Sequence, residues 1–215
     1  MQIQRAFWSL ALSLVAGLVA GLGAGNALAT TGDVAAGEAQ ALVCAACHGQ
    51  DGATGIDPTY PNLAGQNETY LFNQLRMIQS GERQILLMAG QLIGKTEQDL
   101  RNLAAYYASL PGKLGEAEGD DDSIALAQLI YRGGILKKGV AACSACHAPD
   151  GSGNGAAGFP ALGGQPPAYT VAQLTAYREG ERKSDESMGG MMRGVAGGLT
   201  DKEIAALADY LQGLH

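Results

Sequence analysis

Cys44-Ala45-Ala46-Cys47-His48-Gly49 recurs 99 residues later as Cys143-Ser144-Ala145-Cys146-His147-Ala148. The only four cysteines of the 215-residue chain thus stand in two identical frames, each closed by a histidine. The register holds beyond them. Pro61-Asn62-Leu63-Ala64-Gly65-Gln66 falls on Pro160-Ala161-Leu162-Gly163-Gly164-Gln165, Tyr70 on Tyr169, Gln74-Leu75 on Gln173-Leu174, and Gly81-Glu82-Arg83 on Gly180-Glu181-Arg182. The second half then gains five residues, and an offset of 104 sets Thr96-Glu97-Gln98-Asp99-Leu100 on Thr200-Asp201-Lys202-Glu203-Ile204 and Tyr106 on Tyr210. One unit has been duplicated. The expected boundaries are 30–110 and 124–215, joined by a linker over 111–123 that is rich in glycine and acid and reads as solvated. Units of this size hold a small core of their own, marginally.

Each unit reads as helical. Thr96 with Asp99, and Thr200 with Glu203, form capping-box starts, and the acid favours the positive end of the helix. Apolar stripes follow at Leu100, Leu103, Ala104 and Tyr107, and at Ile204, Leu207, Ala208 and Leu211. Phe72-Leu75-Ile78 and Val171-Leu174-Tyr177 mark a middle helix, and the segments from about 34 to 47 and 124 to 146 supply one before each cysteine pair. No alternating strand pattern occurs, so the fold class is all-α. Glycines at 151, 153, 155, 158, 163, 164 and 189 imply backbone passing close to something bulky.

Residues 1–29 differ from the rest. Arg5 is their only charge, Phe7 to Ala24 is almost wholly apolar, and Ala27-Leu28-Ala29 offers a small-x-small cleavage site. A secretory signal peptide fits this pattern better than an uncleaved membrane anchor, because glycines 17, 21, 23 and 25 interrupt the run. The expected location is the periplasm, an oxidising compartment in which bare paired cysteines become disulfides. From residue 30 onward there are 13 basic and 21 acidic residues, which excludes a basic nucleic-acid-binding surface and favours a partner face of positive sign.

A Cys-x-x-Cys pair serves as a redox dithiol, half of a zinc site, or a haem anchor. A thioredoxin-like dithiol needs an α/β setting that this chain lacks. Zinc needs four ligands, and pairs about a hundred residues apart are badly spaced for one cage. In haem attachment each thiol adds to a vinyl group and the next imidazole reaches the iron from the same side, which requires the histidine where it stands. Two copies in register behind an export signal therefore point to two covalently bound haem c groups, at Cys44, Cys47 and His48 and at Cys143, Cys146 and His147.

The opposite iron ligand follows by elimination. The third histidine, His215, cannot serve two irons, so methionine is the substitute. Met88 and Met192 correspond in register, each eight residues before its threonine cap. Met188 and Met191 have no first-unit counterpart and compete with Met192 only through loop slippage, Met191 ahead of Met188. Met77 reads as core filler. Arg83 and Arg182 read equally as haem-propionate partners or as solvated helix-end cations. Lys137 and Lys138 read as surface residues, and Asn67-Glu68-Thr69, which matches a glycosylation sequon, reads better as a helix start.

Two Cys-x-x-Cys-His units, each with a Pro-x-Leu-x-Gly-Gln segment, a Gly-Glu-Arg turn and a late methionine before its last helix, resemble the dihaem cytochrome c4 family over nearly the whole chain after residue 29. The resemblance implies two tandem class I cytochrome c domains around a pseudo-twofold axis and His48/Met88 and His147/Met192 ligation. It also implies a backbone carbonyl near Pro61 or Pro160 that orients each imidazole, and electron carriage in the periplasm from a donor such as a bc1 complex to a terminal oxidase. Contact with the membrane surface would come through those partners. Iron saturated by imidazole and thioether transfers electrons without binding substrate, so no catalytic residue is assigned. Two other readings stay open: a dihaem subunit of a flavocytochrome dehydrogenase, whose flavin would sit on a partner, and a dihaem peroxidase.

Overall fold

The computed structural model describes residues 31–215. The expected signal peptide, 1–29, lies outside the described residues. Among the described residues the only β-pairings are isolated bridges of Ile135 with Val140 and of Asn154 with Phe159, and no helix is long and apolar enough to cross a membrane.

The first unit comprises α1 (Val34–Gln40), α2 (Leu42–His48), α3 (Glu68–Ser80), α4 (Leu86–Ala89) and α5 (Glu97–Ser109). The second comprises α6 (Asp121–Gly133), α7 (Ser144–His147), α8 (Pro167–Arg178), α9 (Met191–Ala196) and α10 (Asp201–Gln212). Both expected capping boxes are formed: Thr96 and Thr200 each accept from the third helical N–H, while Asp99 and Glu203 return a bond to the threonine backbone. Every residue of the two expected stripes is buried, each large one stabilising its unit by about 1.5–3 kcal/mol. Helix α5 packs on α1 and α3, and α10 on α6 and α8. Gly37 permits the first of these crossings, since a Cβ there would lie 2.0 Å from the Asn102 carbonyl oxygen.

Two sequence expectations are corrected. The segment 124–146 is not one helix: α6 starts at Asp121 and ends before Gly134 (φ 67°), and α7 begins only after Cys143. A Cβ on Gly134 would meet the Val140 carbonyl oxygen at 2.3 Å, so the chain turns there into the Ile135–Val140 bridge. Nor is the stretch after residue 111 simply solvated. The Asp209 carboxylate on α10 accepts from the N–H groups of Glu118 and Gly119, both at 2.9 Å. Gln212 donates to the Glu116 carbonyl at 2.7 Å. Asp120 caps α6 through the Ser123 N–H, at 2.8 Å, so the acidic run feeds the positive end of that helix.

A polar seam joins the units. The Gln66 amide accepts from the Ala161 N–H (2.8 Å) and donates to the Ala161 carbonyl (2.9 Å). One repeat along, Gln165 does the same to Asn62, at 3.1 and 2.8 Å. Asn67 stands at the start of α3 as expected, but its side chain makes no cap bond and donates instead to the Phe159 carbonyl of the other unit at 2.8 Å. Contacts that map onto themselves under the repeat register give the molecule an approximate twofold axis.

Candidate functional site

A cavity of about 1650 Å³ runs through both units. Ordinary ligand clefts measure about 300–1,000 Å³, so this one has room for more than one large group. It brings together every residue expected to hold haem: Cys44, Cys47, His48 and Met88, with Cys143, Cys146, His147 and Met192. Leu71, Leu75, Ile78, Leu92 and Leu103 line it from the first unit, and Leu162, Leu174, Val195, Leu199 and Leu207 from the second. An apolar slot of this kind suits a porphyrin face.

Each imidazole is held through Nδ1 by a backbone carbonyl. His48 Nδ1 lies 3.0 Å from the Pro61 carbonyl oxygen and His147 Nδ1 lies 2.9 Å from that of Pro160. A carbonyl only accepts, so Nδ1 carries the proton and Nε2 keeps its lone pair for a metal. The proline loops are pinned in turn: the Gly52 carbonyl accepts from Leu63 and the Gly151 carbonyl from Leu162, both at 2.7 Å. Burial pulls both histidine pKa values below the ordinary range, against the opposing pull of the proline carbonyls, and favours the neutral form a metal needs.

The first thiol of each pair is the more buried one. Burial pushes Cys44 up and Cys143 up to about 11, whereas dithiol chemistry depends on a depressed value. Among the described residues no three His, Cys, Asp or Glu side chains converge as a cation site, so a metal at His48 or His147 would come with a group of its own.

The reading of Arg83 and Arg182 as solvated helix-end cations is overturned, since each is only 8% exposed. Arg83 donates to Gln74 (2.8 Å) in its own unit and to Gln173 (3.1 Å) and Tyr169 (3.4 Å) in the other. Arg182 mirrors it, with Gln173 at 2.7 Å, Tyr70 at 2.9 Å and Gln74 at 3.1 Å. All these acceptors are neutral amides and phenols, and among the described residues neither guanidinium has a carboxylate partner. Two buried cations on one cavity wall call for anions, and a haem supplies two propionates. The residues present therefore fit the group.

The methionines sort by position. Met88 sits on α4 and Met192 in the first turn of α9, both half-buried on the cavity wall. Met191 also reaches the wall but is 44% exposed. Met77 is buried in α3, as a core-filling residue should be, and borders the same cavity. Sequence reasoning missed the roles of Tyr70, Gln74, Tyr169, Gln173, Gln66 and Gln165. Their one signal was exact recurrence in both units.

The family model for cytochrome c matches residues 137–215. Over 184 residues the chain is 46% identical to cytochrome c4 of Pseudomonas aeruginosa, covering 86% of this chain and 90% of that one. The chain belongs to the cytochrome c4 family. The crystal structure of reduced recombinant cytochrome c4 from Pseudomonas stutzeri superimposes with a TM-score of 0.82 at 46% identity, over 86% of this chain and 100% of that one. A thiosulfate dehydrogenase electron acceptor from Thiomonas intermedia is 36% identical over 184 residues, covering 82% of this chain and 81% of its own. As a member of the cytochrome c4 family the chain is a dihaem electron-transfer cytochrome, a carrier rather than an enzyme, with two covalently bound haem c groups.

Proposed function

We propose that Cys44 and Cys47 anchor one haem with His48 and Met88 as its axial pair, and that Cys143 and Cys146 anchor the other with His147 and Met192. The observation that carries this reading is a single cavity on which both sets converge, with each imidazole already aimed by a proline carbonyl. A haem closed by imidazole and thioether supplies one-electron transfer at a raised potential and no open coordination position. Met192 is preferred to Met191 because it is the register partner of Met88 and is the less exposed of the two. Arg83 and Arg182 serve as counter-charges to the propionates.

The first unit spans 30–110 and the second runs to 215 from the start of α6 at Asp121, three residues before the expected 124, with the connecting stretch between them and a leader over 1–29 that sends the chain to the periplasm. There it carries single electrons from a donor such as a bc1 complex to a terminal oxidase, through small, short-lived interfaces. A second reading, with a dehydrogenase as the donor, is supported by the similarity to a thiosulfate dehydrogenase electron acceptor.

Haem per chain and optical spectra of both oxidation states test the assignment. Two haems and a weak far-red thioether band are expected, and Met88→Ala and Met192→Ala should each remove about half of that band. One haem per chain, or an unchanged band in Met192→Ala, overturns the ligand set.

A further inference from the structure

The Pro160 carbonyl that aims His147 and the Ala161 N–H that bonds Gln66 belong to one peptide group. Gln66 Oε1 accepts from the Ala161 N–H at 2.8 Å, and the carbonyl on the other end of that peptide accepts a hydrogen bond from the His147 Nδ1–H, with N···O 2.9 Å. The mirror path runs from Gln165 Oε1 through the Asn62 N–H, at 3.1 Å, to the Pro61 carbonyl and His48 Nδ1, at 3.0 Å. Both glutamines are buried and the second amide atom of each is spent on the same residue's carbonyl, so neither can turn away to water.

We infer that each unit's glutamine is a positioning residue for the other unit's iron ligand, tuning its electron richness through one shared peptide. A peptide whose N–H is held by a good acceptor becomes a better acceptor at its carbonyl, because hydrogen bonds in a chain polarise one another. A stronger bond from Nδ1–H makes the imidazole more basic, and a more basic ligand favours ferric over ferrous iron. Docking of the units therefore lowers both potentials, each by way of the opposite glutamine. No proton leaves its atom, and no charge is added.

This inference rests on the proposed histidine ligation. Gln66→Met and Gln165→Met keep volume and remove the acceptor. The relay expects crossed effects in the two-haem protein: Gln66→Met raises the potential of the haem at His147 alone, and Gln165→Met that of the haem at His48 alone. Each raises the reduced:oxidised ratio at fixed poise by about two- to fivefold, less than loss of a direct ligand partner would give. In the reduced protein the Nδ1–H proton resonance of the opposite histidine should move upfield while its neighbour's stays in place. Gln66→Asn and Gln165→Asn, one methylene shorter and least disruptive to the seam, should give the same crossed pattern. Equal movement of both haems, movement of the same-unit haem, or no movement in either pair of variants overturns the relay. Haem count and the far-red band of the same samples report separately on the ligation, so the relay can fail while that reading stands.

Discussion

The duplicated frame allows one unit to serve as the control for the other at single residues. Ala148 stands where the first unit has Gly49, at φ 64° and ψ 158°, beside 83° and 157° for the glycine. This corner of conformational space is closed to side chains except under strain of about 1–3 kcal/mol. The Tyr131 hydroxyl, donating to the Ala148 carbonyl at 2.5 Å, helps hold the backbone there. Ala148→Gly should relieve more than the roughly 0.5–1 kcal/mol that glycine adds in chain entropy, leaving a net gain near 1 kcal/mol. A higher denaturant midpoint for the haem-loaded variant is the expected reading; a lower one shows that the site is unstrained. Gly49→Ala should do the opposite and more strongly, since its Cβ would lie 2.4 Å from the Thr54 carbonyl oxygen.

At the scale of elements, the ends of α5 and α10 carry the most local information. The Glu203 carboxylate takes the Thr200 N–H at 2.7 Å, the Thr200 hydroxyl at 2.9 Å and the Lys138 ammonium at 2.8 Å. Burial pushes the Glu203 carboxyl up, but Lys138 and the two Thr200 donors outweigh it and the net shift is downward from 4.5. A carboxyl lowered on folding stabilises above its unfolded value and loses that contribution as pH falls through the folded one. Glu203→Gln should thus cost a few tenths to 1 kcal/mol at neutral pH, solvent screening included, with the gap to the parent closing below about pH 4.5. Unfolding curves at pH 7 and pH 3.5 check this, and a gap constant with pH would assign Glu203 no ionic role. Caps and stripes made these helices legible in the sequence, because both signals are local. The break between α6 and α7 was signalled in the sequence only by Gly133-Gly134 and Gly139, and it is the fold that turns the chain back at Gly134 into the Ile135–Val140 bridge. Asn67 was read correctly as a helix start, yet its side chain answers to the other unit, which no window around it contains.

For the whole molecule, the two Cys-x-x-Cys-His frames were legible because covalent haem attachment calls for that spacing, whereas the seam was hidden because residues of one unit find their partners in the other. Arg83 and Arg182 show the difference, polar in sequence yet buried where both units supply their acceptors. Each guanidinium bonds Gln74 and Gln173 together, so each belongs to both halves of the cavity wall. A buried cation stabilises the reduced form, which carries one positive charge fewer, and thus raises the potential; burial also keeps salt from screening it. Arg182→Gln retains hydrogen-bonding capacity while deleting the charge, and should lower both potentials in the same direction. At an effective dielectric near 20 the shift is about three- to tenfold in the reduced:oxidised ratio at fixed poise, nearly independent of ionic strength. Spectroelectrochemical titration at low and high salt separates this common, downward movement from the one-sided, upward movement expected of the glutamines. If only the haem at His147 responded, the guanidinium would belong to one unit and the shared wall would be a matter of packing alone.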